Sequence, residues 1–122
     1  MKFLLMCCSD ETKIEALPKP ETDELMEQMG AYCEALHKSG HLIVGEPLES
    51  VQTAMTVRIQ HGRASVTDGP FAETKEQLCW FFLIQARDLN EAIQMASRFP
   101  SVRYGSMEVR PVRQIQKSAS DI

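Results

Sequence analysis

The run Leu78-Cys79-Trp80-Phe81-Phe82-Leu83-Ile84 constrains this chain more than any other segment. It is far shorter than the ~18 apolar residues of a membrane span and too continuously apolar to leave one face in water. Such a run reads as a central strand covered on both faces. Neither of its faces is then free for solvent. With 122 residues, 43% hydrophobic and 25% charged, and no Pro/Gly/Ser-rich linker, the chain reads as one globular domain with a sizeable core.

The flanking segments take complementary roles. Residues 2 to 8 form a short apolar run that reads as a buried first strand, and Pro18 and Pro20 then punctuate a polar loop. Between Thr22 and Ser39, Leu25, Met29, Tyr32, Cys33 and Leu36 fall on one face at helical spacing. Asp23 and Glu24 suit the first turn of that helix and Gly40 its stop. His41 to Val44 makes a short strand, broken by Gly45 and Pro47. Met55, Val57 and Ile59 then alternate with polar residues, His61-Gly62 turns, and Ala64 and Val66 lie on the return strand of a hairpin. Asp88 reads as a helix cap with Glu91 at the third position, and Leu89, Ala92, Ile93 and Ala96 mark the expected buried side of a second helix. A last strand starts near Ser106, and Pro111 requires it to end, bulge or run along an edge. The order fits an α+β ferredoxin-like plait with an inserted β-hairpin. Both helices would cover one sheet face, and a second subunit can cover the other, so a homodimer is expected. The domain spans 1–116, and residues 117–122 read as a mobile tail.

Composition narrows the partners. A formal net charge of −4 argues against a nucleic-acid partner, which would want a basic face. The opening Met-Lys-Phe-Leu-Leu-Met-Cys-Cys meets Asp10 and Glu11 at once, against a signal peptide, and no segment suits a membrane. A cytoplasmic protein is expected. Cys7, Cys8, Cys33 and Cys79 show no disulfide framework and read as reduced, mostly buried thiols.

The segment Asp68-Gly69-Pro70-Phe71-Ala72-Glu73-Thr74-Lys75-Glu76 joins a tight turn to an aromatic, expected to be buried, and to dense charge. Together with Glu108-Val109-Arg110-Pro111-Val112 it resembles the DGPF-type branch of the YCII-related proteins. The resemblance implies a dimeric α/β-barrel fold, a small ligand held between sheet and helices, and no established reaction. It also implies a competing role, since genes of similar proteins often neighbour those of extracytoplasmic-function sigma factors: a non-catalytic regulatory partner of such a factor. Where members of the branch commonly carry Gly-Gly, this chain has Cys79-Trp80. The indole either fills the ligand space or walls a smaller one, and filling is the expectation. The His of the His-Asp pair proposed in the wider group has no counterpart on the apolar face of the first helix; His37 is the nearest.

The motif gives the candidate site, a small polar or anionic ligand held where the Asp68 to Lys75 loop meets Arg110 and the first helix. Asp68 could act as general base or, as the ordinary reading has it, accept backbone N–H groups in its turn. Phe71, Glu73, Lys75, Arg110 and Trp80 are candidate binding residues, with Arg110 either gripping an anion or pairing with Asp68 or Glu73. Arg103 and Tyr104 could reach the same region. Glu73, Lys75 and Glu76 are equally a solvated charged turn. His37 and His41 lack a third ligand, so no metal is expected. No Gly-rich phosphate loop exists and no cofactor is implied. No nucleophile and base are paired by the sequence, which leaves catalysis open.

Overall fold

The computed structural model describes residues 1–115; the tail expected at 117–122 lies outside the described residues. Strands β1 (Lys2–Ser9), β2 (Leu42–Pro47), β5 (Gln77–Gln85) and β6 (Gly105–Pro111) form one antiparallel sheet in the order β2-β5-β1-β6. That order, with helices α2 (Lys19–Lys38) and α3 (Leu89–Ser97) as crossovers, is the expected ferredoxin-like plait. The central apolar run lies in β5, between β1 and β2. Pro111 ends β6, an edge strand, where its missing N–H removes nothing from the ladder.

One face of the sheet carries the core. Phe3, Leu5, Cys7, Phe82 and Ile84 alternate inward and are fully buried under Leu25, Met29 and Leu36 of α2 and Ala92, Met95 and Ala96 of α3. Phe82 stacks on Phe99 with centroids 4.2 Å apart, and Tyr32 meets Phe99 edge-on at 4.7 Å. The Tyr32 hydroxyl donates to the Met95 carbonyl at 2.7 Å, which satisfies its polar end and ties α2 to α3. Leu4, Met6, Phe81 and Leu83 point to the opposite face and are only half-buried.

Three details differ from the sequence reading. The polar loop before Pro18 contains a short helix, α1 (Glu11–Glu15), capped by Asp10, whose carboxylate accepts from the Thr12 N–H at 3.0 Å. Helix α2 starts at Lys19, with Pro20 in its first turn, where a proline loses no helical hydrogen bond. Strand β2 runs on through Gly45 to Pro47, because as an edge strand it tolerates both.

The hairpin β3 (Met55–Gln60) and β4 (Arg63–Asp68) forms its own two-stranded sheet, turning at His61 and Gly62 with φ of 53° and 76°. Both positive angles belong to a tight hairpin turn matched to strand twist. Its apolar side, with Met55, Val57, Ile59 and Val66, is exposed.

Candidate functional site

A bulge in β5 builds the site. Cys7 pairs with Trp80 but Cys8 pairs with Leu78, so Cys79 is an extra residue on its strand. Successive strand residues ordinarily point to opposite faces, and an extra residue breaks that alternation. Cys79 and Trp80 consequently line the same hollow, a cavity of about 240 Å³ between the β1/β5 end of the sheet and α1 and α2. Its apolar lining comes from Ile14, Leu25, Met26, Leu48, Trp80 and Tyr104, and its polar lining from Ser9, Glu11, Thr22, Ser50 and Ser101. An apolar cleft with a few placed polar groups is the usual form of a small-molecule site, and this one is at the small end of the range.

Glu11 is fixed at the rim. Its carboxylate accepts from the Ser50 hydroxyl at 2.8 Å and from the Val51 N–H at 2.9 Å. Its own N–H donates to Gln77 Oε1 at 2.9 Å, while Gln77 Nε2 donates to the Thr74 carbonyl at 2.7 Å. The charged motif segment thus connects to the hollow through Gln77 and Glu11, not through its own side chains.

Two thiols and two hydroxyls lie together at the inner end. Cys7 Sγ is 3.7 Å from Cys79 Sγ and 3.1 Å from Ser101 Oγ, and Cys79 Sγ is 3.8 Å from Ser9 Oγ and donates to the Cys7 carbonyl at 3.2 Å. The hydrogen bond from Cys79 holds the Cys7 thiol down at about 7 against the cost of burial, with Ser101 and Ser9 adding to it. The same hydrogen bond, together with burial, pushes the Cys79 thiol up. The first proton lost belongs to the pair. Cys8 and Cys33 are pushed up mainly by burial.

Of the residues singled out in the sequence, Trp80 and Tyr104 meet at the hollow, and Trp80 forms part of its lining. Asp68, Phe71, Glu73 and Lys75 do not line it. Phe71, expected to be buried, is 79% exposed, because the segment projects with the hairpin away from the core. The Asp68 carboxylate accepts no hydrogen bond among the described residues; the turn is closed instead by the Gly69 N–H donating to the Ala54 carbonyl at 2.7 Å. Arg110 pairs with Glu108 at 2.6 Å on its own strand, opposite Leu4 on the open sheet face, rather than with Asp68 or Glu73. Ser9, Glu11 and the Cys7–Cys79 pair were not signalled as a site. The alternation Cys7, Ser9 on the inward face of the first strand was the available clue, but the bulge that brings Cys79 beside them has no signature in sequence.

The YCII-related domain model matches residues 1–116. The chain belongs to the YCII-related family. A curated relative, an uncharacterised protein of Rhizobium meliloti (strain 1021), is 36% identical over 114 residues, covering 92% of each chain. A solved structure of similar fold is 5-chloro-2-hydroxyhydroquinone dehydrochlorinase (TftG) from Burkholderia phenoliruptrix AC1100, in complex with 2,5-dihydroxybenzoquinone. It superposes with a TM-score of 0.57 at 15% identity, over 93% of this chain and 94% of that one, a likeness that establishes the shared fold. Among the described residues no helix is long and apolar enough to cross a membrane.

Proposed function

We propose that this YCII-related protein, of the DGPF-type branch, binds a small polar ring compound in the hollow beside Trp80. The observation that carries the reading is the hollow itself: an indole and a phenol flank it, and Ser9, Glu11 and Ser50 offer hydrogen bonds at one side. The dehydrochlorinase of the same fold, held with a dihydroxybenzoquinone, agrees with a ligand of that size. In this reading the Asp68 to Lys75 segment supports the site at second hand, by positioning Gln77 and through it Glu11. Direct contact of Asp68, Lys75 or Arg110 with the ligand would require the loop of a second subunit. The half-buried open face of the sheet supports such a homodimer, since a second copy could cover it. Trp80 is the sole tryptophan, so its fluorescence reports on the hollow alone. Titration with hydroquinone and 2,5-dihydroxybenzoquinone should quench it saturably; a linear response equal to that of free tryptophan would defeat the proposal.

The second reading, a regulatory partner of an extracytoplasmic-function sigma factor, draws support from the exposed apolar side of the hairpin and from Phe71. Co-purification with such a factor, abolished by Val57→Asp, would favour it over the first.

A further inference from the structure

We propose that Cys79 is a nucleophilic site for small, soft carbon electrophiles, with Cys7 behind it as its proton acceptor. The proposal rests on the reading of the hollow as a ligand site and adds the chemistry of what enters it.

The two sulfurs divide the work by position. Cys7 is fully buried and cannot meet a ligand, whereas Cys79 is half-buried and lines the hollow. They are 3.7 Å apart, close enough to share a proton, and two thiols this close do not both ionise easily. A single negative charge on the pair is stabilised by hydroxyls on either side, with Ser101 Oγ 3.1 Å from Cys7 Sγ and Ser9 Oγ 3.8 Å from Cys79 Sγ. The thiolate is the reactive form of cysteine, and the pair yields its first proton at about 7. The buried sulfur therefore stores the charge, and the accessible one can use it.

The step balances without any further reagent. As an α,β-unsaturated carbonyl compound enters, the Cys79 S–H bond breaks and its proton passes to the Cys7 thiolate. Cys79 Sγ bonds to the β carbon, and the carbon–carbon π pair moves to the carbonyl as an enolate. The proton returns to the α carbon by way of Cys7 and solvent, which leaves Cys7 a thiolate again. The result is a thiol added across a double bond. The flanking aromatic rings of Trp80 and Tyr104 favour a flat acceptor.

Cys8 and Cys33 serve as internal comparators, since burial pushes both thiols up and neither has an accepting thiolate beside it. The test treats the folded protein with N-ethylmaleimide and follows adduct formation at each cysteine by peptide mass mapping from about pH 6 to about pH 9. Cys79 should label at least about tenfold faster than Cys8 and Cys33 at neutral pH, with a profile rising near neutrality. Cys7→Ser should slow Cys79 labelling about tenfold at neutral pH and move its profile up toward that of an ordinary thiol. Should Cys7→Ser fail to fold, Ser101→Ala provides the same test with a smaller shift. An unlabelled Cys79 in the folded protein, or a Cys79 profile that ignores both substitutions, overturns the proposal. Hydroquinone quenching of Trp80 in the wild-type protein separates the two levels: saturable quenching with Cys79 unlabelled refutes the nucleophile and spares the ligand site, and no saturable quenching with Cys79 unlabelled refutes both.

Discussion

The Trp80 indole lies over the Phe82 ring with planes 18° apart and centroids 5.6 Å apart, so the residue that walls the hollow is also the outer member of the core aromatic stack. Phe82 is fully buried and Trp80 only half. Trp80→Ala should therefore cost about 1–2 kcal/mol, below the ~3–5 of a fully buried aromatic truncation, while ring-compound affinity falls at least tenfold. Denaturant midpoints and calorimetric titration check the two effects. A full core-sized loss with unchanged binding would make Trp80 a filler.

The turn after β4 gives a second test. Gly69 has φ of +92°, a region closed to side chains without strain, and its N–H makes the bond to Ala54. Gly69→Ala should cost about 1–2 kcal/mol and Asp68→Ala a few tenths at most. Urea midpoints distinguish them. A larger loss at Asp68 would restore the turn-acceptor role that the sequence pattern first suggests.

Quaternary structure offers a third. Leu83 pairs with Leu4 and Val44 across the open face of the sheet, at the centre of the proposed subunit contact. Light scattering should give about twice the chain mass, with more than ~1,000 Å² buried between copies. Leu83→Glu should yield a folded monomer. A wild-type monomer at micromolar concentration would remove the dimer.

Acid sensitivity offers a fourth. The Asp88 carboxyl is held below its ordinary value by the Glu91 N–H, with Arg87 adding to it, and it caps α3. A lowered folded-state value means that the cap contributes fully above the ordinary aspartate range and is lost as pH falls through the folded-state value. Asp88→Ala should lower the thermal midpoint at neutral pH, and the gap from wild type should shrink in acid. A gap independent of pH would show that the cap is not electrostatic.

The plait was legible because its signals are periodic. Leu25, Met29 and Leu36 define the buried stripe of α2, alternation defines the hairpin, and Asp88 with Glu91 marks the start of α3. The site was less legible, for two physical reasons. Motif chemistry drew attention to Asp68 and Phe71, but their exposure is set by where the hairpin projects, a tertiary outcome. The hollow depends on a one-residue bulge at Cys79 and on Glu11 held by Ser50 and Gln77, contacts between segments distant in the chain.

On the proposed function, the ligand enters the hollow beside Trp80. Backbone amide NMR shifts during hydroquinone titration test it most directly. Saturable shifts are expected at Ser9, Glu11, Cys79, Trp80 and Tyr104, all at the hollow, with Gln77 following through its bond to Glu11. Shifts confined to Asp68 through Lys75 and Arg110 would contradict it.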